Sequence, residues 1–248
     1  MTASDRCPTG ITGLDDILGG GFPRNRSMLL AGTCGTGKTT FAMQYLVQGI
    51  LKYNEPGVLV TLEQDSEELR GDMLRYGWDL RKLENEKKLI IIDTSLSKIG
   101  VKEYVTSIPV DPDKSFSLLP GEFDFERITE LVITTAKNIN AKRVVIDSLP
   151  ALDILSRSET NIRRILLQMN YEFKSHGLTS IMITEIAEDD GISHHGVEEY
   201  IADGVIILKT NEALDTRTIK IRKMRLTNHT LKPLALDINP ATGIQIKR

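Results

Sequence analysis

The chain has 248 residues, of which 40% are hydrophobic and 26% are charged, a composition typical of a globular protein with ample material for a core. Its formal net charge of −3 argues against a protein that coats nucleic acid, because most such domains are basic overall. Two cysteines are too few for a disulfide framework, and no apolar run approaches the ~20 residues that span a bilayer, so we expect a cytoplasmic protein without membrane insertion.

Short β-rich segments alternate with helical segments through most of the chain. Strands are predicted at Ser27–Gly32, Val58–Glu63, Leu89–Thr94, Arg143–Asp147 and Thr179–Glu185. Helices are predicted between them at Thr39–Lys52, Glu67–Arg75, Phe125–Asn138 and Ile162–His176. This alternation predicts an α/β fold with right-handed crossovers, in which helices cover both faces of a mostly parallel sheet.

The pattern changes after Asp203, where strands follow one another with only turns between them. These strands are predicted at Val205–Lys209, Thr218–Leu226, Leu234–Ile238 and Ile244–Lys247. They predict an antiparallel C-terminal extension of the sheet. The segment Gly100–Phe123 contains three prolines and no clear period, which predicts a long surface loop. Because no repeat or low-complexity linker is visible, we expect residues 1–248 to form a single domain.

A glycine-rich phosphate-binding loop follows the first predicted strand. The spacing G-x-x-x-x-G-K-[ST] is met by Gly32, Thr33, Cys34, Gly35, Thr36, Gly37, Lys38 and Thr39, and Thr40 completes the predicted nucleotide-binding run. The backbone N–H groups of such a loop point at phosphate oxygens, and the following helix N-terminus adds positive charge. We expect Lys38 to reach the β- and γ-phosphates of ATP and the Thr39 hydroxyl to ligate Mg²⁺. Cys34 is interpreted as a small residue in a tight loop rather than as a redox centre.

Two carboxylates are candidates for the metal and the attacking water. Asp147 ends the buried strand Arg143–Asp147 and is the predicted second Mg²⁺ ligand, the alternative being an aspartate that only caps a strand. Glu63 ends the strand Val58–Glu63 and is the predicted catalytic carboxylate that polarises the water. The alternative for Glu63 is a structural one, since acidic residues are favoured in the first turn of the helix that follows.

Two histidines and a third carboxylate carry weaker predictions. His194 and His195 are adjacent, which is not the spacing of metal ligands on a helix face, so we expect an exposed turn. Glu185 ends its strand and is either a sensor of the γ-phosphate or a plain strand-end carboxylate.

Over nearly its whole length the chain resembles the KaiC branch of the RecA superfamily. The segments that carry the resemblance are Thr12–Leu18, Gly20-Gly21, the phosphate-binding loop, Tyr76–Leu80, Val144–Ser148, Thr184-Glu185, Gly196–Asp203 and Lys223–Arg225. The resemblance implies a RecA-like P-loop fold, rings of six subunits and ATP bound between neighbouring subunits. It also implies that Glu63 is the first of two adjacent catalytic glutamates. The second position is Gln64 here, which puts the rate of hydrolysis in question more than its existence.

In this family a Lys-x-Arg pair on a late strand reaches the γ-phosphate of the next subunit. Lys223 and Arg225 match that pair, and His229 lies near the family's downstream histidine. Leu226 stands where the family has glycine, so the local turn is expected to differ.

The strand pattern offers separate support for an interface at this strand. Ile219 and Ile221 alternate onto one face, and Lys223 and Arg225 continue the same alternation, which predicts a strand that runs out of the core into an interface. The alternative is a solvated basic strand end.

These patterns predict an ATP- and Mg²⁺-dependent ATPase that assembles into a ring, with a hexamer expected, and acts as a regulatory or assembly switch on a protein partner. One rival is a nucleotide-gated scaffold with little turnover, for which Gln64 is the motivating residue. A second is a recombinase-like ATPase that binds single-stranded DNA, which the acidic charge and the 5% aromatic content disfavour. Autokinase activity remains open. The family's clock protein has two such domains and an autophosphorylated tail, whereas a single domain is predicted here. The resemblance therefore implies no clock role.

Overall fold

The computed structural model describes residues 5–94, 115–117, 125–154, 159–186 and 191–247. Its strands are β1 (Arg6–Cys7), β2 (Phe22–Pro23), β3 (Ser27–Gly32), β4 (Gly57–Thr61), β5 (Leu89–Asp93), β6 (Phe116–Ser117), β7 (Arg143–Asp147), β8 (Thr179–Glu185), β9 (Gly204–Asn211), β10 (Thr216–Met224), β11 (Leu234–Asn239) and β12 (Gly243–Lys247). Its α-helices are α1 (Leu14–Ile17), α2 (Lys38–Tyr53), α3 (Ser66–Leu74), α4 (Leu80–Asn85), α5 (Phe125–Asn138), α6 (Glu159–Ser175) and α7 (Glu198–Ile201). Among the described residues, 3₁₀ segments span Leu149–Ile154 and Glu212–Leu214.

The strands β3 to β12 form a 10-stranded sheet in the order β12-β11-β10-β9-β3-β8-β7-β4-β5-β6. All neighbours from β9 through β3 to β6 are parallel. The remaining pairs, β9–β10, β10–β11 and β11–β12, are antiparallel. The predicted mostly parallel sheet with an antiparallel C-terminal extension is therefore confirmed.

The two faces of the sheet carry separate cores. Helices α1 to α4 contribute to one core, in which Phe41 and Leu46 of α2 pack with strand residues such as Leu59. Helices α5 and α6 cover the opposite face, where Ile128 and Leu166 pack with the intervening strand residues. Because both faces are covered, the parallel strands read as continuous apolar runs rather than as alternating ones.

A buried ion pair ties α2 and the loop after it to the start of β7. The guanidinium of Arg143 is fully buried, donates to Glu55 Oε2 at 2.6 Å and 2.8 Å, and stacks over the Tyr45 ring at 4.5 Å. Burial alone would raise the pKa of Glu55, but the charge of Arg143 and the hydrogen bonds from Arg24 and Arg143 hold it below its ordinary value. The pair fixes α2, whose N-terminus continues the phosphate-binding loop, against the strand that ends at Asp147.

Several short elements and boundaries differ from prediction. The two-residue strands β1 and β2 and the short helices α1, α4 and α7 were not predicted, because segments this short have no readable period. Strand β4 ends at Thr61, so Glu63 follows the strand instead of ending it. The predicted loop Gly100–Phe123 lies largely outside the described residues, and its described part includes β6, which pairs with β5. Within the described ranges, the helices are too short or too polar to cross a membrane.

Candidate functional site

The carboxyl ends of four parallel strands meet at one edge of the sheet. The strand register places Gly32 of β3 beside Glu185 of β8, and Thr61 of β4 beside Asp147 of β7. Parallel α/β sheets bind ligands at this edge. The fold therefore brings the phosphate-binding loop and the predicted acidic residues to a common location, although they are far apart in the sequence.

The loop between β3 and α2 has a backbone that requires glycine. Gly35 has a φ of 75° and Gly37 a φ of 95°, both in the left-handed region that disfavours side chains. A Cβ at Gly37 would lie 2.5 Å from Ile238 Cδ1, and one at Gly32 would lie 2.7 Å from Thr36 Oγ1. Helix α2 begins directly after Gly37, so its free N–H groups point into the loop.

Lys38 lies against the inside of this loop. Its ammonium donates to the carbonyl oxygens of Gly32 and Thr33, each at 2.9 Å. The same Nζ is 3.8 Å from Glu185 Oε1. Thr36 is buried and donates to Thr33 O at 2.9 Å, whereas Cys34 is exposed at the rim. The lysine is thus held where phosphate oxygens would enter the loop.

The two residues predicted to hold Mg²⁺ are in direct contact. Thr39 Oγ1 donates to Asp147 Oδ2 at 2.8 Å. Burial raises the pKa of Asp147 to about 6; the Thr39 hydrogen bond opposes this rise, and the nearby charge of Glu63 adds to it. A hydroxyl and a carboxylate are oxygen ligands of the kind Mg²⁺ prefers, so this pair fits the predicted metal.

Glu63 lies beside Asp147, whereas its neighbour Gln64 is bonded to α3. Glu63 is exposed and accepts a 2.8 Å hydrogen bond from Ser148 Oγ, next to Asp147. Helix α3 begins at Ser66 with Asp65 as its cap, so Glu63 lies outside its first turn and has no helix-start role. Gln64 donates instead to Asp72 Oδ2 of α3 at 3.0 Å.

A cleft of about 540 Å³ joins these groups, a volume suited to a nucleotide. Its wall includes the predicted residues Cys34, Gly35, Gly37, Lys38, Thr39, Thr40, Glu63 and Asp147, together with Tyr76, Ser148, Glu185, Arg217 and Ile238. Arg217 lines the cleft, and its buried Nε has no hydrogen-bond partner among the described residues. Nothing local in the sequence indicates Arg217 or Ile238, because the strands that carry them reach the cleft only through the sheet order.

The predicted interface residues lie outside that wall. Lys223 Nζ donates to the carbonyls of Glu199 at 3.1 Å and Ala202 at 2.6 Å, and burial together with the charge of Arg225 lowers its pKa. The Arg225 side chain is 59% exposed and lies 3.7 Å from Asp203 Oδ1. His229 contacts the carbonyl of Thr230.

The predicted alternation of this strand is wrong at its end. Ile221 pairs with Ile206 and Lys223 with Val205, so an extra residue, Arg222, interrupts the pairing as a β-bulge. After the bulge Met224 takes the buried face that Ile219 and Ile221 occupy, and Lys223 is only partly buried. Lys223 and Arg225 therefore do not continue the core-facing row.

Known proteins resemble the chain over nearly all of its length. The family model described as "ATPase: KaiC" matches residues 7–248. Circadian clock oscillator proteins KaiC from Thermostichus vulcanus and Synechococcus elongatus are 35% and 37% identical to it, over 97% and 89% of this chain. The chain spans less than half of these relatives, namely 44% and 40% of their lengths.

A solved structure resembles the chain in both fold and sequence. The crystal structure of a KaiC-like protein from the hyperthermophilic archaeon Pyrococcus horikoshii matches with a TM-score of 0.81 and 37% identity, covering 98% of this chain and 99% of the other. The fold is therefore the RecA-like fold of that protein. By its sequence, its sheet and its phosphate-binding loop, the chain belongs to the KaiC family of ATPases in the RecA superfamily.

Proposed function

We propose that the chain binds ATP with Mg²⁺ in the cleft beside Lys38 and hydrolyses it. The contact between Thr39 and Asp147 carries this proposal, because it joins the phosphate-binding loop to a strand-end carboxylate as P-loop hydrolases require. The position of Glu63 on the same cleft supports hydrolysis as well as binding.

Each residue of the cleft has a role in this proposal. The loop amides and Lys38 hold the phosphates, and the guanidinium of Arg217 on the cleft wall is offered to a nucleotide oxygen. Thr39 and Asp147 hold Mg²⁺, which when bound neutralises charge on the phosphate oxygens. Glu63 orients and polarises the attacking water. The Ser148 hydroxyl positions the Glu63 carboxylate by a hydrogen bond of 2.8 Å from Oγ to Oε1.

The proposed working form is a ring, with a hexamer expected, in which each cleft is completed by the next copy of the domain. Lys223, Arg225 and His229 are the groups offered to the neighbour, and their position away from the cleft of their own chain fits that role. An arginine supplied in this way contributes about 10³-fold or more to turnover. We propose that such a ring acts in the cytoplasm as a regulatory or assembly switch on a protein partner.

The test is steady-state ATP hydrolysis per chain as a function of protein concentration, with Lys38→Ala as the blank. Specific activity that rises and then saturates supports a site shared between chains. A flat rate above the blank, combined with sizing that shows only monomers, overturns the shared site and leaves hydrolysis within one chain. A rate equal to the blank overturns hydrolysis and favours the nucleotide-gated scaffold. Stimulation by single-stranded DNA that is lost at high salt would instead favour the recombinase-like alternative.

A further inference from the structure

Three side chains, one of them 41 residues from His194 in sequence, converge outside the wall of the nucleotide cleft. Asp153 Oδ2 lies 2.7 Å from His194 Nε2, and Asp153 Oδ1 lies 2.9 Å from His195 Nε2. One nitrogen of each histidine and one carboxylate oxygen all lie within 4.8 Å of one another. The adjacent histidines reach this arrangement because their rings stand edge to face, with centroids 4.7 Å apart.

A buried carboxylate fixes the orientation of His195. The Glu198 side chain is fully buried, and its Oε1 lies 2.9 Å from His195 Nδ1. A carboxylate only accepts hydrogen bonds, so Nδ1 is the donor. In a neutral imidazole the lone pair is then on Nε2, directed at Asp153 Oδ1. Two acceptors that face each other require a proton or a metal ion between them.

The segment that carries the histidines is held before any ligand arrives. Glu198 also accepts from Ser193 Oγ at 2.8 Å and from the backbone N–H groups of His195 at 3.2 Å and Val197 at 3.1 Å. The backbone N–H of His194 donates to Thr184 Oγ1 at 3.2 Å. A carboxylate that orients a histidine ligand through its second nitrogen is the usual outer support of metal-binding histidines.

We propose that Asp153, His194 and His195 form a binding site for a divalent transition-metal ion of the Zn²⁺ type. Two imidazole nitrogens and one carboxylate oxygen suit Zn²⁺ and its neighbours, whereas Mg²⁺ and Ca²⁺ prefer oxygen ligands alone. The side chains of Asp153 and His194 are 48% and 36% exposed, so water can complete a tetrahedral shell. Glu198 orients His195 without being a ligand.

The ion would join two segments that leave the nucleotide site. Asp153 lies in the 3₁₀ segment that follows β7 and Asp147, and the histidines follow β8 and Glu185. A bound metal therefore acts as a structural clamp between the connections after these strands. The proposed metal site is independent of the proposed ATP hydrolysis, because Asp153, His194 and His195 do not line the nucleotide cleft.

The test is titration of the EDTA-treated, desalted chain with Co²⁺ in the presence of excess Mg²⁺, followed by displacement with Zn²⁺. The Mg²⁺ occupies oxygen-rich sites, so the visible absorption of tetrahedral Co²⁺ reports the histidine site. The wild-type chain is expected to bind a single Co²⁺. His194→Ala and Asp153→Asn, which alter exposed side chains, are expected to weaken binding by about 100-fold or more.

Three controls separate this site from other possible ligands. His176→Ala removes a histidine that lies 3.6 Å from Glu172 in α6, Cys34→Ser removes the exposed thiol, and Lys38→Ala disables the proposed ATP site. All three are expected to bind Co²⁺ as the wild type does. Zn²⁺ is also expected to raise the Tm of the wild type but not that of His194→Ala or Asp153→Asn. Absence of Co²⁺ binding by the wild type, or a loss below about tenfold in both variants, overturns the metal site and leaves a proton-bridged cluster.

Discussion

Glu63 and Gln64 are adjacent in the chain but face different neighbours, and this difference bears on the question raised by the missing second glutamate. The carboxylate of Glu63 accepts from Ser148 beside Asp147, at the wall of the cleft. The amide of Gln64 donates to Asp72 of α3, and both residues line an adjoining cavity. Glu63 is therefore the group that we propose to act on a water, and the carbonyl of Gln64 accepts from Thr61 in the turn that follows β4.

Replacing Glu63 by glutamine is expected to lower kcat for ATP hydrolysis by about 10²- to 10⁴-fold, because the amide cannot accept a proton from water. Nucleotide affinity should change little, since Lys38 and the loop amides remain. Turnover and binding of a fluorescent nucleotide measure the two effects separately. The matched control is Gln64→Ala, which should keep turnover close to that of the wild type. Equal losses in both variants would contradict the assigned role.

Residues of the candidate site could be predicted from the sequence where local spacing defines the geometry. The phosphate-binding loop is such a case, because glycines at fixed positions dictate the turn and the helix start. Asp147 was predictable because it ends an apolar strand. Arg217 and Asp153 were not, because each meets its partners through contacts between distant segments; Asp153 is 41 residues from His194 in sequence. Two adjacent histidines give no sign of a third ligand so far away.

Strands and helices could be predicted where burial produces a regular pattern. The parallel strands β3, β7 and β8 have their predicted bounds, because both faces are buried and the apolar run is as long as the strand. Strand β10 shows the limit of this approach. One extra residue at Arg222 reverses the alternation, and the hydrogen-bond register that decides this depends on β9 rather than on β10 alone.

Two glycines in helical surroundings are expected to respond in opposite ways to alanine. Gly37 has a φ of 95° at the start of α2, and its Cβ would meet Ile238, so Gly37→Ala should lower the free energy of unfolding by about 1–3 kcal/mol. Gly71 is exposed within α3, and a Cβ there would meet no described atom within 4 Å. Gly71→Ala should therefore raise the free energy of unfolding by roughly 0.5–1 kcal/mol.

Urea unfolding of both variants and the wild type measures these changes. Turnover provides a second comparison, since Gly37→Ala distorts the loop that holds the phosphates and Gly71→Ala lies outside the cleft wall. A shift of the same sign in both variants would show that backbone conformation does not govern stability at these positions.

At the scale of the whole molecule, the chain carries the parts of the proposed site at two separate places. The phosphate-binding loop, Asp147 and Glu63 form one side of the cleft, and Lys223 and Arg225 lie at the end of β10 with the exposed Arg225 bordering Asp203. A head-to-tail ring gives every copy the same two surfaces, so each cleft would meet the basic pair of its neighbour. A twofold dimer instead pairs the same surface of both copies and closes after two, so it does not generate a ring.

Mixing experiments test that arrangement directly. Lys38→Ala leaves the basic pair intact, and Arg225→Ala leaves the phosphate-binding loop intact, so each variant alone should be inactive or nearly so. In randomly mixed equimolar rings about one quarter of the interfaces combine an intact loop with an intact arginine, and the rate should recover to about that fraction of wild type. The control mixture pairs Lys38→Ala with Asp147→Asn. Every cleft in it has a defect on the loop side, so no recovery is expected. Co-expression ensures mixed assemblies, and sizing verifies them. If verified mixed rings show no recovery in the first pair, or equal recovery in both, the cleft is not completed by Arg225 of a neighbouring copy.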